Sequence, residues 1–285
     1  MQEAESLNAA TGGGLNASTV QRPTVATWIW AMPLLLAGLG APLWLQVWEP
    51  QMFLAINSAC AVVAAPVWTG LSLLGNAWAL LGLTAPLLVF APRLMWAWLC
   101  AAPFAAVFAR LGKGLLESPR PAALIDNTHM RIVGETLHNV SMPSGHTLTA
   151  FACASALYLA LPVQKRWRFA WLWLLAAGAG LSRIAVGAHW PGDVAVGAAL
   201  GLLAGLLGVR LLARMGPRNF LPTFWSLRLV ALLVAVAVAV LLTEPLDFDE
   251  NVPLQILLAV VALLALGRFM QLNAPGGRPD AGPSH

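Results

Sequence analysis

Three short clusters in this 285-residue chain combine charged, small and imidazole side chains at spacings suited to holding and transferring a phosphate. The first is Lys113 followed seven residues later by Arg120-Pro121; the second is Pro143-Ser144-Gly145-His146; the third is Ser182-Arg183 with His189 and Asp193 further on. Lys113, Arg120 and Arg183 supply three positive charges, and a guanidinium fork can grip two phosphate oxygens at once. Ser144 suits a helix N-cap, and Gly145 lets the first backbone amides of that helix approach an anion at the positive end of the helix dipole. His189 stands just before Pro191, a favoured first-turn residue. Asp193, four positions on, can accept a proton from one ring nitrogen and leave the other as a nucleophile. His146, at a different helix start, can protonate a leaving oxygen and then activate water. Arginine and lysine would here replace a divalent ion in stabilising the transferred group, so neither a metal nor a cofactor is expected. Each residue alone has an ordinary explanation: a snorkelling cation, a cap, a hydrogen-bonded histidine, a helix-start acid. The weight lies in their combination.

These clusters must be positioned by helices in a bilayer. The chain is 59% hydrophobic and 10% charged with a mean hydropathy of +0.75, too little polar surface for a protein in water. The 13 Trp, 25 Gly and 20 Pro also suit membrane helices. This excludes a nucleic-acid binder despite a pI near 9.5. Apolar runs near 26–47, 68–90, 94–112, 146–163, 169–188, 194–213, 226–243 and 253–270 predict eight crossings with both termini on one side. Of the 16 Lys and Arg residues, all but Arg110, Lys113, Arg120, Arg131 and Arg183 fall on the side of the termini, which identifies that side as the cytoplasm. The opposite side carries the three clusters and the acidic Glu244, Asp247, Asp249 and Glu250. The expected organisation is a disordered cytoplasmic tail over 1–25, a six-span core over 26–213, a two-span hairpin over 226–270 and a disordered tail over 271–285.

The segment between Pro50 and Pro66 is apolar but too short to cross. It reads either as a helix in the outer interface or as a buried re-entrant or connecting helix. Cys60, Cys100 and Cys153 lack metal-ligand spacing and cannot all pair, so neither a disulfide framework nor a thiolate site is expected. His129 and His138 fall in the 114–142 loop and read as solvated loop residues. The C-terminal hairpin, with no ionisable residue in its helix cores, reads as a packing or partner-binding element.

The motifs K-x6-R-P, P-S-G-H and S-R-x5-H-x3-D, carried in order by Lys113–Pro121, Pro143–His146 and Ser182–Asp193, resemble the signature of the type 2 phosphatidic acid phosphatase superfamily. The resemblance covers roughly 26–213. It implies an all-α polytopic bundle with the site at the outer ends of the third to sixth spans. It also implies His189 as the nucleophile that becomes phosphohistidine, Asp193 as its orienting partner and His146 as acid/base. Lys113, Arg120, Ser144, Gly145 and Arg183 would hold the phosphate. The expected activity is removal of phosphate from a lipid phosphate or polyprenyl diphosphate at the outer face of a bacterial inner membrane. A lipid-to-lipid phosphotransferase would use the same residues. A non-catalytic anionic-lipid binder or transporter would need neither histidine nor Asp193, all of which are present. Haloperoxidase activity is disfavoured for a membrane-spanning chain, and the motifs leave oligomeric state open.

Overall fold

The computed structural model describes residues 25–45, 49–116 and 118–274. Within them lie ten α-helices of eight residues or more and no strand: α1 (Met32–Leu39), α2 (Glu49–Ala59), α3 (Ala65–Ser72), α4 (Ala77–Thr84), α5 (Pro92–Leu115), α6 (Gly145–Ala160), α7 (Trp171–Ala185), α8 (Pro191–Leu212), α9 (Trp225–Thr243) and α10 (Val252–Asn273). The all-α reading holds. The two expected tails lie outside the described residues except at residue 25 and residues 271–274, and α10 continues to Asn273.

Four segments are single helices long and apolar enough to cross a membrane: 92–115, 191–212, 217–243 and 249–273. Leu174 (74% exposed), Leu232 (61%) and Leu264 (71%) point outward on helix faces, the pattern of a multi-pass membrane protein whose outer surface meets lipid. The other expected crossings differ from single spans. α6 and α7 have 16 and 15 residues. The run 26–47 breaks at Gly40, and the run 68–90 breaks at Asn76, whose side chain accepts from the backbone N–H groups of Trp78 and Ala79 and so starts a new helix.

The segment 50–66 turns one face into the bundle, through Phe53, Asn57 and Cys60, and leaves the other face exposed. Helix α2 ends in a bend of 114° into the 65–75 helix. Phe53 is buried and meets the Trp190 ring edge-on at 5.2 Å. Asn57, also buried, donates to the carbonyls of Arg131 and Ile184 and accepts from the Arg131 N–H at 2.8 Å.

The centre of the bundle is α8, which lies against both α6 and α5. Close approach is possible because α8 presents small residues there: a Cβ at Gly201 would fall 2.5 Å from the Leu148 carbonyl. Pro191 opens α8 at its first turn, and Ser144 caps α6 by accepting from the Thr147 N–H at 3.4 Å. The Ser144 N–H itself donates to the Asp193 carbonyl at 3.1 Å, which ties the two helix starts together. α9 and α10 form an antiparallel pair against α4. The three cysteines are buried and free.

Candidate active site

At the α7–α8 junction, His189 and Asp193 are both buried, and Asp193 Oδ2 lies 3.1 Å from His189 Nδ1. The same oxygen accepts from the Trp190 N–H at 2.9 Å and from the Ser141 hydroxyl in a very short hydrogen bond. An ionised carboxylate can only accept, so the proton on this side of the ring is on Nδ1 and Nε2 is unprotonated. Nε2 faces Arg120 Nη1 at 3.4 Å, and a guanidinium can only donate, which agrees with that tautomer. Burial, reinforced by Arg120 and Arg183 and opposed by Asp193, pushes the His189 imidazolium down to about 4. His189 is therefore neutral at neutral pH.

Arg120 is buried, with Nε donating to Asn139 Oδ1 at 2.6 Å and Nη1 to the Ala188 carbonyl at 2.8 Å. These bonds fix the plane of the fork. Arg183 donates through Nη1 to Ser72 Oγ at 2.5 Å and lies 5.8 Å from the centre of the Phe248 ring, while its buried Nε has no hydrogen-bond partner. An unsatisfied buried donor is costly unless a ligand satisfies it. Lys113, near the end of α5, is half-buried and within electrostatic reach of Arg120, Arg183 and Asp193.

His146, the second residue of α6, is pressed by the turn before α4: a Cβ at Gly75 would stand 2.5 Å from His146 Cβ. A Cβ at Gly145 would meet nothing within 4 Å, so the space at this helix start is open. A cavity of about 390 Å³ reaches His146 and Gly145 and is otherwise mostly apolar, with Trp78, Trp98, Ala102 and Ala105 in its walls. The charge of Arg183 acts on both His146 and His189. The structure thus joins Arg120, His189 and Asp193 by direct contacts, ties Ser144 to them through the Asp193 carbonyl, and brings Arg183, Lys113 and His146 within electrostatic range.

Sequence reasoning missed Ser141, Asn139, Ser72, Asn76 and Asp247. Asp247, from the turn between α9 and α10, places Oδ2 2.9 Å from His146 Nε2 and 3.2 Å from the donating Asn76 amide. Burial alone would raise this carboxyl, but the His146 contact, the positive charge of Arg183 and the Asn76 amide outweigh it and hold Asp247 at about 2. No signal beyond acidity marked it. His129 and His138 take no part in these contacts, and among the described residues no group of three His, Cys, Asp or Glu side chains is arranged to hold a metal ion.

Residues 94–217 match the model of the PAP2 superfamily. A lipid A 1-phosphatase of Porphyromonas gingivalis is 46% identical over 68 residues, 24% of this chain and 15% of that protein. An undecaprenyl-diphosphatase of Sulfolobus acidocaldarius is 32% identical over 111 residues, 38% of this chain and 50% of that protein. A decaprenylphosphoryl-5-phosphoribose phosphatase of Mycobacterium tuberculosis is 35% identical over 123 residues, 41% of this chain and 62% of that protein. In each case the match spans less than two thirds of the relative. The crystal structure of Aquifex aeolicus LpxE superposes with a TM-score of 0.50 at 28% identity, covering 57% of this chain and 94% of that one.

Proposed function

We propose, from the match of residues 94–217 to the PAP2 superfamily model and from the site geometry, that the protein is a membrane phosphatase that removes phosphate from a lipid phosphate or polyprenyl diphosphate through a phosphohistidine. The observation that carries this reading is the His189 ring, tethered at Nδ1 by Asp193 with Nε2 unprotonated and facing Arg120. In the first step Nε2 of His189 attacks phosphorus, an N–P bond forms, and the bond from phosphorus to the lipid oxygen breaks. The leaving oxygen takes a proton from His146. In the second step water gives its proton back to His146 while its oxygen attacks phosphorus, which releases phosphate and frees His189. Arg120, Arg183 and Lys113, with the amides at the start of α6, stabilise charge on the three equatorial oxygens.

The lipid class is supported by the apolar cavity beside His146. The acid stands next to the leaving oxygen, so the group attached to that oxygen extends into the space adjoining His146. The names of the phosphatase relatives agree with a lipid substrate. The bias of Lys and Arg toward the other end of the helices supports a site at the outer face of a bacterial inner membrane.

The test is a phosphate-release panel on purified protein in detergent, with polyprenyl diphosphate, phosphatidic acid, phosphatidylglycerol phosphate, lipid A and a soluble sugar phosphate. Vanadate-sensitive release from a lipid, in preference to the sugar phosphate, is expected. Equal turnover of the sugar phosphate would defeat the lipid assignment, and label appearing on an added lipid acceptor would identify a phosphotransferase. Reporter fusions after Arg168 and near Asn127 test sidedness: an alkaline phosphatase active at the former and silent at the latter would invert the orientation.

A further inference from the structure

The α9–α10 hairpin lies outside the matched segment 94–217, yet its turn enters the site. Asp247 is the only non-glycine residue with positive φ among the described residues, at 59°, a left-handed conformation that Asp tolerates better than most residues. The turn is anchored on both sides of it. The Leu246 N–H donates to Gln255 Oε1 at 3.1 Å, Gln255 donates to the Glu244 carbonyl at 2.7 Å, and the Asn251 amide donates to the Thr69 carbonyl at 3.0 Å. Its neighbour Phe248 covers Arg183. Asp247 is thus held against His146.

The charged groups acting on His146 are Arg183 from α7, Lys113 from α5 and Asp247 from the hairpin turn. Two bring positive charge toward the ring, and Asp247 is the carboxylate that answers them. Its Oδ2 accepts, so the ring nitrogen it meets, Nε2, carries a proton.

We propose that Asp247 is a positioning residue for the leaving-group acid: by accepting from Nε2–H it fixes the ring of His146 and stabilises its imidazolium, and the leaving oxygen takes the proton from the other nitrogen, Nδ1, which leaves a neutral ring. The chain then has two Asp–His pairs with opposite tasks. Asp193 bonds Nδ1 of His189 and leaves Nε2 for attack, whereas Asp247 bonds Nε2 of His146 and leaves Nδ1–H for donation. As phosphorus bonds to His189, the phosphorus–oxygen bond to the lipid breaks and the lipid oxygen gains the His146 proton. Water restores the Nδ1 proton in the second step, while the Nε2–H bond to Asp247 is kept throughout.

This inference rests on the phosphatase reading, and the experiment separates the two. Two phosphates with the same alkyl chain are compared in detergent, one an ester of an alcohol and the other of a nitrophenol, whose leaving oxygen needs no proton. Wild-type release that disappears in His189→Ala tests the reading itself. In Asp247→Asn, the expected result is a fall in kcat of about 10²-fold on the alcohol ester, the scale of a lost general acid, with kcat on the nitrophenyl ester nearly unchanged. Equal loss on both esters would overturn the proposal. So would unchanged or raised turnover with tighter vanadate inhibition, since Asp247 would then be only an internal anion competing with phosphate. If Asp247→Asn fails to fold, Asp247→Glu, which keeps the charge but moves it by one methylene, is read the same way: a partial loss confined to the alcohol ester supports the role, and equal losses refute it.

Discussion

Arg120 Nη1 stands 3.4 Å from His189 Nε2, so the nitrogen suited to attack already faces a cation able to hold the phosphate. The arginine is fixed by Asn139 and the Ala188 carbonyl, and the histidine by Asp193. When substrate arrives, the Arg120 N–H has only to pass from His189 Nε2 to a phosphate oxygen, a short move for a side chain already held by two other bonds.

His189→Ala should abolish both phosphate release and the acid-labile phosphoenzyme. Asp193→Asn should keep the protein folded yet reduce kcat on the order of 10³- to 10⁴-fold, because an amide no longer enforces the Nδ1–H tautomer. Rapid-quench trapping with labelled substrate checks both. Persistent phosphoenzyme in His189→Ala would remove the covalent step.

Arg183→Lys should lower kcat/KM about 10²-fold or more, the usual scale for losing one oriented donor to a transition-state oxyanion. An ammonium cannot bond Ser72 and a phosphate in the plane of a fork. Steady-state kinetics and vanadate inhibition measure the loss, and near-wild-type values would take Arg183 out of the anion site.

The pH profile should show an acid limb set by His189 near pH about 4, below the ordinary histidine value of 6.5. The folded value is the lower one, so this group contributes stability that is fully present above 6.5 and is lost as pH falls through about 4. Asp193 opposes the downward shift, so Asp193→Asn should move the limb to still lower pH. A limb near 6.5 in the wild type would mean that His189 is solvated.

Gly201→Val should destabilise the protein by about 1–3 kcal/mol or more, as overpacking does in a tight core, because even a Cβ would lie 2.5 Å from the Leu148 carbonyl. Thermal melting in detergent reads this, and an unchanged midpoint would show that α6 and α8 can separate freely.

The motif residues are legible because their chemistry is tied to residue type at fixed spacing: His189 and Asp193 are one helical turn apart, and Ser144 caps the helix that starts beside it. Their helpers are not legible. Ser141 and Ser72 are ordinary serines in the sequence, and only the return of distant segments brings them to Asp193 and Arg183. Asp247 is one acid among four in a polar turn, and nothing local says that it meets a histidine 101 positions away. Hydropathy likewise finds apolar runs without finding where they break. The 68–90 run is predominantly apolar around Asn76, yet that side chain satisfies two backbone donors and restarts the helix.

Asn57 has a practical consequence for anyone dissecting this protein. Its amide joins the backbone of Arg131 to the end of α7, just before the loop that carries His189, through buried hydrogen bonds. Removing it would take away the side-chain partner of both the Arg131 N–H and the Arg131 carbonyl, a loss of about 1–3 kcal/mol for each that stays unsatisfied. A fragment cut at the 94–217 boundary would therefore retain all three motifs and lose the keystone on which the segments around Arg131 and before His189 lean. The hereditary unit and the mechanical unit have different borders here, and excision, domain grafting or circular permutation must respect the second.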